Sequence, residues 1–449
     1  MAIALGVSPA AFASNWFQLQ NSEAPGAPAY KFWGFIQPQF ISNQGGAVNG
    51  IAAPAGLAAY NGQTPLFNEV APDNKNQNQL QIFRARPGLR GVIPGTDEKI
   101  NYFLLAELGN NGLTRDRPVM TDATVSFNYI PGARIRAGLG RLPMGEEAML
   151  GEPALDFINF TGVTNGLLNE NFVIPYVNNT RTHSPAWGVP LQQSQVVGAV
   201  GAFRDVGVEV YDWFTLGQWE YSYALMASQG NGVSFDSAPN SGNNDVTGRL
   251  QASYIFAGKG PRREDVTVFA WHQSGGRAYG ANTYSRVREG MGAKYVQGKL
   301  RLGGEYIRGQ GMIYLGKNPP FNDLGGTAFE PVDLVAAAST NESNGYYLDM
   351  GWKLDSNWEA DLRYDVYDRL SNSAYDERIF KTVTVGGQYF YSPALRFIMN
   401  YEFRTQIAPD ATTPGMTGTA AAQKTQLTDA GILANSLGNR LSLQLTYQF

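Results

Sequence analysis

The strict alternation of the last nine residues limits what this chain can fold into. Residues 441–449 read LSLQLTYQF, so leucine, tyrosine and phenylalanine take the odd positions and serine, glutamine and threonine the even ones. Side chains of a β-strand point alternately to opposite faces, so this stretch predicts a strand with one apolar and one polar face. An edge strand of a soluble sandwich shows the same alternation. This stretch alone therefore does not identify the fold, and the rest of the chain is needed to do so.

The same two-residue period recurs along the whole chain and predicts about 16 strands. The connections between them alternate between turns of a few residues, such as Pro131-Gly132 and Gly217, and much longer loops. Outer-membrane barrels combine short periplasmic turns with long external loops, whereas the architecture of sandwiches and propellers does not require connections of alternating length. We therefore predict an all-β fold: a transmembrane antiparallel β-barrel of about 16 strands, with long extracellular loops and short periplasmic turns.

Composition excludes several kinds of functional site. The chain has no cysteine, which rules out disulfides, thiolate metal sites and cysteine nucleophiles. Its two histidines, His183 and His272, lie in a loop and near a strand end, and neither has a setting typical of a catalytic base. We therefore predict no enzyme, no metal and no cofactor. Abundant glycine, tyrosine and phenylalanine with 16% charged residues suits a barrel with aromatic belts.

The first residues resemble the remainder of an export signal. An apolar stretch runs into Ala11-Phe12-Ala13, a small-x-small cleavage pattern, although no basic residues precede it. We predict that residues 1–13 are a signal-peptide remnant and that residues 14–449 form a single barrel domain. An apolar tail is the alternative.

Arginines are predicted to line one wall of the barrel interior. If Phe83, Ala85 and Leu89 face lipid, and Ile135, Ala137 and Leu139 do so on a later strand, the residues between them face the lumen. Charged side chains at that depth require water, anions or acidic partners. The predicted pore-lining and anion-binding residues are Arg84, Arg86, Arg90, Arg134 and Arg136. The alternative is that they fill a wet lumen and pair with acids such as Glu107.

Acidic residues are predicted to lie on a different wall. Glu359, Asp361 and Asp365 share the inward face of one strand with Arg363, and Asp349 and Asp355 do the same on the preceding strand. Separated basic and acidic walls would set up a transverse field in the lumen.

The longest stretch without strand patterning runs from 143 to 195. Loops of this length are usually functional. Its acids are predicted to constrict the pore by folding inward beside the arginines: Glu146, Glu147, Glu152 and Asp156. An external cap over the barrel mouth is the alternative.

From 80 to 149, the segments FRARPGLRG, INYFLLAELG and TDATVSFNYIPGARIRAGLGRLPMGEE resemble the phosphate-selective porin O/P family. Gly140, Pro143, Gly145 and Glu146 match the motif that closes its fifth strand, and FRDVGVEV resembles its next strand. The resemblance implies a homotrimer of 16-stranded porins with an arginine-lined route for anions. It also implies that Arg84, Arg86, Arg134 and Arg136 contact those anions.

These observations together predict a porin in the bacterial outer membrane. Small hydrophilic solutes and ions would diffuse through it passively, with a preference for anions from the arginine-lined lumen. The expected partners are those solutes, outer-membrane lipid and two further copies of the chain, and no nucleic acid. The alternative is a barrel that sheathes or docks another protein, such as a cytochrome.

Overall fold

Sixteen strands close into one antiparallel barrel, which confirms the predicted fold class. The structure, a computed structural model, describes residues 22–24, 26–44, 49, 78–111, 118–170, 172–175, 194–197, 203–230, 232–233, 244–258, 262–279, 282–314, 335–336, 338–373, 377–407, 409, 428, 432 and 438–449. The predicted signal remnant, residues 1–13, lies outside them. Among the described residues, no helix has the length and hydropathy needed to cross a membrane.

Each barrel strand pairs with the barrel strand before it in sequence, and the last pairs with the first. Two short pairs lie apart from the barrel: β6 (Phe172–Pro175) with β7 (Ser194–Val197), and β14 (Ile313–Tyr314) with β15 (Val335–Ala336). The barrel strands are β1 (Lys31–Gln44), β2 (Asn78–Val92), β3 (Ile100–Glu107), β4 (Val119–Phe127), β5 (Arg134–Arg141), β8 (Arg204–Leu216), β9 (Trp219–Ser228), β10 (Asp245–Ala257), β11 (Glu264–Tyr279), β12 (Asn282–Gln297), β13 (Leu300–Gly311), β16 (Glu342–Lys353), β17 (Trp358–Arg369), β18 (Arg378–Ser392), β19 (Leu395–Ile407) and β20 (Asn439–Gln448).

The C-terminal strand closes the ring. Gly34 and Phe449 exchange two backbone hydrogen bonds, each of 3.0 Å, and the pairing continues along β1 and β20 to Gln44 and Asn439. Leu443, Tyr447 and Phe449 remain 39–48% exposed on the outer face. Ser442, Gln444 and Thr446, at the alternate positions, are buried on the inner face. The alternation of residues 441–449 therefore separates a lipid-facing surface from the lumen, as the sequence predicted.

The connections at the two ends of the barrel differ in length. At one end they are short: 93–99, 128–133, 217–218, 258–263, 298–299, 354–357 and 393–394. At the other end most are long: 45–77, 108–118, 142–203, 229–244, 312–341 and 408–438. Two connections at the long-loop end are short, 280–281 and 370–377, because β11, β12, β17 and β18 extend further than their sequence patterns indicated.

The two-residue period predicted the wrong position for three side chains, those of Phe83, Leu139 and Asp355. A bulge opposite Gln37 and Pro38 gives β2 an extra residue, so the alternation shifts and Phe83 is buried instead of facing lipid. Leu139, also predicted to face lipid, is 1% exposed and follows Gly138, whose φ of +122° departs from strand geometry. Asp355 lies in the turn after β16, where its carboxylate accepts hydrogen bonds from the backbone of Asn357 and Trp358.

The lumen is filled in part by an apolar cluster. The segment that follows β5, residues 142–170 and here called the inner segment, folds inside the barrel. Its apolar side chains pack on inward-facing residues of β9, β11, β13 and β17, so this part of the lumen is packed like a protein core. The inner segment contributes Leu142, Met144, Ala148, Val163, Leu167 and Leu168, and the strands contribute Met226, Phe269, Trp271, Ile307 and Tyr367.

We predict that Gly34→Ala weakens barrel closure. A Cβ at position 34 would collide with the carbonyl oxygen of Arg86 on β2 and lie 2.7 Å from the Phe449 ring, so β1 must shift against β2 and the C-terminal residue must move. The measurement is the fraction of refolded protein that keeps the compact gel mobility of a folded barrel, and its midpoint of unfolding on heating. Gly248→Ala is the matched control, because its Cβ would meet nothing closer than 3.4 Å. Equal stability of the two variants would contradict the prediction.

Candidate functional site

The inner segment is held inside the barrel by hydrogen bonds from its backbone as well as by its apolar side chains. It forms a short helix, α1 (Glu146–Met149), a 3-10 turn (Glu152–Ala154) and a π-helical turn (Thr164–Leu168). The backbone N–H of Glu146, at the start of α1, donates to the Glu305 carboxylate of β13 at 3.0 Å. The backbone N–H of Gly162 donates to Asp365 of β17 at 2.9 Å. Strands far apart in sequence therefore fix the segment's path.

Three arginines from three strands converge on Glu152. Their guanidinium nitrogens lie 2.5 Å (Arg86, β2), 2.6 Å (Arg141, β5) and 3.2 Å (Arg204, β8) from its carboxylate oxygens. All four side chains are buried, and Arg86 and Arg204 each contact a second acid, Glu107 and Asp122 respectively. Buried charges at this spacing are stable because each has a counter-charge, so Glu152 joins the inner segment to this wall.

Three of the other predicted arginines, Arg136, Arg134 and Arg90, each pair with a different carboxylate. Arg136 lies 2.8 Å from Glu209, and Arg134 lies 3.1 Å from Asp212 with its guanidinium over the Trp213 ring. Arg90 pairs with Glu23 near the short-turn end. Predicted arginines on β2 and β5 thus point inward, but four of the five are paired with carboxylates: Arg86, Arg90, Arg134 and Arg136.

Arg84 differs from the other four. Its guanidinium donates to the side-chain oxygen of Gln37 at 3.0 Å and lies over the rings of Phe83 and Phe160. Among the described residues, no ion pair joins Arg84 to a carboxylate. It is therefore the residue of the predicted anion-binding set whose charge is least compensated by direct contact.

The other predicted acids of the inner segment contact basic residues on other strands. Glu146 lies 2.7 Å from Arg249 and 2.5 Å from Lys294. Glu147 lies 3.3 Å from Arg363 and accepts a 2.6 Å hydrogen bond from the Thr161 hydroxyl. Asp156 lies 2.5 Å from Arg262 and 3.3 Å from Arg301. The four acids singled out in the sequence thus meet arginine or lysine, mostly on strands other than those predicted.

Electrostatic contacts keep these loop carboxylates ionised. Burial alone raises the pKa of Glu146, but Lys294 and Arg249 outweigh it and lower the pKa to about 2. Burial likewise opposes the arginines around Asp156, and the resulting pKa is about 2. The arginines around Glu152 hold its pKa well below the ordinary value despite burial. All three groups are therefore anions at any physiological pH.

The predicted acidic wall carries its own counter-charges. Glu359, Asp361 and Asp365 face inward as predicted and are buried. Arg301 of β13 lies 3.3 Å from Glu359 and 2.7 Å from Asp361, and also pairs with Asp349. A strong field between one basic and one acidic wall therefore does not follow from these contacts, because both walls contain internal ion pairs.

Sequence reasoning missed several arginines of this site. Arg141 follows the irregular Gly138–Gly140 stretch, so alternation from Arg136 would place it on the lipid face. Arg262 precedes β11 in the turn GKGPRRE, where a charged residue is unremarkable. The sequence did contain a signal for Arg141. An arginine side chain that faces lipid costs free energy, so an arginine at a position that alternation assigns to the lipid face indicates that its side chain points inward instead. The missed residues are Arg141, Arg204, Arg249, Arg262, Arg301 and Arg396.

His272, the histidine that lies within the described residues, pairs with one exposed carboxylate and with no metal-ligand group. The His272 ring lies 3.3 Å from Glu289 in an exposed pair, and His183 falls outside the described residues. The described residues contain no group of three or more potential metal ligands among histidine, aspartate and glutamate.

A closed 16-strand barrel, apolar outside and charged inside, is the architecture of porins. Among solved structures, OmpF of Salmonella typhi in complex with daunomycin is similar to this chain, with a TM-score of 0.52 and 13% identity over 94% of this chain and 97% of that one. The outer membrane channel DcaP of Acinetobacter baumannii gives a TM-score of 0.49 and 13% identity over 96% and 99% of the two chains. A further porin gives 0.45 and 12% over 94% and 100%.

No family model and no curated protein matches the sequence. The similarity to OmpF therefore shows a porin-type fold and no more, because identity is so low.

We predict that the inner segment stays anchored in moderately acid solution. Because the pKa of Glu146 and Asp156 is about 2 in the folded state, their contribution to stability is complete above the ordinary carboxyl values of 4.5 and 3.8 and is lost as the pH falls toward 2. Limited proteolysis between pH 7 and pH 2, with an acid-tolerant protease such as pepsin at the low end, measures the anchoring. We expect unchanged protection of the inner segment down to pH 5 and increasing cleavage below about pH 4. Release between pH 7 and pH 5 would contradict this assignment.

Proposed function

We propose that this chain is a bacterial outer-membrane porin through which small hydrophilic solutes and ions diffuse passively. The observation that carries the proposal is a charged, loop-containing interior enclosed by a complete ring of 16 strands. A ring of that size is wide enough to leave an aqueous path beside an inner segment. The apolar outer surface, with residues such as Leu250, Met291 and Leu348 more than 60% exposed, is suited to lipid.

Export, trimer formation and the phosphate-selective type are further parts of the proposal. The apolar stretch and cleavage pattern of residues 1–13 support export. The homotrimer and the assignment to phosphate-selective porins follow from the motifs between 80 and 149, and they stay predictions. The inward arginines Arg84, Arg86 and Arg136 are compatible with them.

The proposed constriction lies in the region 143–195, of which the described part is mainly 143–170. Support comes from its four acids, which contact strands on several sides of the lumen. A loop fixed at so many points narrows the path without needing to move. An external cap would not bring Glu152 to 2.5 Å from Arg86, halfway along β2.

A modest anion preference is proposed, with Arg84 as its main source. Arginines already paired with carboxylates attract passing anions weakly, because their charge is compensated at short range. Arg84 has no such partner among the described residues and lies beside the Arg86 ion pairs. We propose that it therefore contributes more positive potential to the path than the other four predicted arginines, which are paired with carboxylates.

A barrel that docks another protein remains the second candidate. The apolar cluster between the inner segment and β9, β11, β13 and β17 favours low conductance. The same cluster occupies lumen space that a threaded cytochrome would need, so docking at a barrel mouth fits better than sheathing. Folded barrels that fail to conduct would favour docking.

Ion selectivity tests the proposal. We expect the purified protein in a planar bilayer to conduct, and under a tenfold KCl gradient to show a reversal potential of the sign for anion preference. Arg84→Gln should reduce that preference because it removes a lumen charge that no carboxylate contacts directly among the described residues. Arg308→Gln is the control: it removes the same charge from the outward face shared by Leu302 and Tyr306. A reversal potential equally sensitive to both substitutions, or insensitive to Arg84→Gln, would exclude the role given to Arg84.

A further inference from the structure

The chain ahead of β1 folds back into the mouth of the barrel at its short-turn end. It first passes the end of β2, where the backbone N–H of Val92 donates to the carbonyl oxygen of Pro28 at 3.2 Å. Further from β1, the backbone N–H of Glu23 donates at 3.4 Å to the side chain of Asn101, which is buried on the inner face of β3. Residues 22–24, here called the N-terminal strap, therefore lie against the inner wall.

The N-terminal strap binds two arginines of that wall. The Glu23 carboxylate pairs with the guanidinium of Arg90 on β2, and the same guanidinium donates to the backbone carbonyl of Ser22 at 3.2 Å. The Ser22 hydroxyl accepts a hydrogen bond from Arg134, at the start of β5, at 3.2 Å. A carboxylate and a hydroxyl group from neighbouring residues are thus bound by arginines from two different strands.

Water reaches Arg90 and Arg134 more easily than the other predicted arginines. Their side chains are 18% and 27% exposed, against 5% or less for the other three. Both guanidiniums also lie over aromatic rings, Arg90 over Phe103 at 5.3 Å and Arg134 over Trp213 at 4.1 Å. Stacking on a ring holds a guanidinium in a fixed orientation. A solute anion entering from the short-turn end therefore meets guanidiniums that are accessible and already positioned.

Glu23 differs from the carboxylates that pair with other arginines of this wall. Glu107 lies on β3 and Glu209 on β8, so the sheet holds both of them in place. Glu23 lies outside the sheet, in a strap whose residues are partly or fully exposed. An ion pair of this kind contributes little free energy, because water and salt compete with it. A dissolved anion can therefore take the place of the Glu23 carboxylate.

We propose that Arg90 and Arg134 form a binding site for sugar acids, with the N-terminal strap as a built-in competitor. Glu23 occupies the position of the solute's carboxylate on Arg90, and Ser22 occupies that of a solute hydroxyl group on Arg134. A sugar acid carries both groups on one short chain, so it makes both contacts when it displaces the strap. A simple carboxylate makes only the first. The inference rests on the proposed porin function and adds a solute class to it.

Binding of gluconate to the purified barrel tests the site. Isothermal titration calorimetry in detergent measures it, with acetate and glucose as comparison solutes. We expect gluconate to bind more tightly than acetate, and glucose not to bind. Arg90→Gln should abolish gluconate binding. Glu23→Gln removes the competing carboxylate and should tighten gluconate binding about three-fold, the change expected for loss of a partly exposed ion pair.

Two further variants separate displacement of the strap from a general change of charge. Asp97→Asn removes one negative charge from the exposed β2–β3 turn at the same end of the barrel, and asparagine tolerates its φ of +49°. Its affinity for gluconate should equal that of the wild type. Ser22→Ala keeps the net charge but removes the hydroxyl bound by Arg134, and it should also tighten gluconate binding. Heat-dependent gel mobility verifies folding, and Ser22→Ala remains a test if Glu23→Gln does not fold.

Tighter binding in Glu23→Gln and Ser22→Ala, with Asp97→Asn unchanged, would support the site and its competitor. Equal affinities in Glu23→Gln and Asp97→Asn would overturn the competitor. Equal binding of gluconate and acetate, or gluconate binding that survives Arg90→Gln, would overturn the sugar-acid site. Bilayer conductance reports separately on the porin function. A conducting protein that does not bind gluconate would overturn the site alone, and a folded barrel that binds gluconate but never conducts would overturn the porin function alone.

Discussion

Closure of the sheet is the constraint from which the rest of the structure follows. In hydrocarbon every strand N–H and C=O needs a partner, and the pairing of β20 with β1 supplies the last of them. Closure also encloses half of every strand's side chains away from bulk water. Charged groups in that space are stable when they meet opposite charges, which accounts for the pairing of Glu152 with three arginines and of Arg301 with four carboxylates.

The interior is organised by two different forces. On one side, the inner segment packs leucine, methionine and valine against Phe269, Trp271 and Ile307, and hydrophobic burial fixes it there. Elsewhere, directional ion pairs at Glu152 and Asp156 fix it at single points. The apolar contacts do not depend on the protonation state of any group, whereas the ionic contacts at Glu152 and Asp156 do.

The strands were predictable because a two-residue period is a local property. Residues 441–449, and the hairpins around Gly132 and Gly217, show it directly. The two-residue period predicts the wrong face wherever the backbone departs from an ideal strand. The bulge in β2 moves Phe83 to the inner face, and the positive φ of Gly138 is followed by Leu139, which is buried rather than lipid-facing. The acids of the inner segment were visible as a group, but their partners were not. Glu152 meets Arg86 and Asp156 meets Arg301 across large sequence separations, which no local pattern encodes.

The position of the inner segment also bears on how the ring is held closed. Its Asn159 side chain donates to Ser442 of β20, and its Glu152 binds Arg86 of β2, so it touches strands on both sides of the closing pair. The segment therefore ties together strands on both sides of the β1–β20 seam from within the ring, so its contacts add to the hydrogen bonds that hold the seam closed.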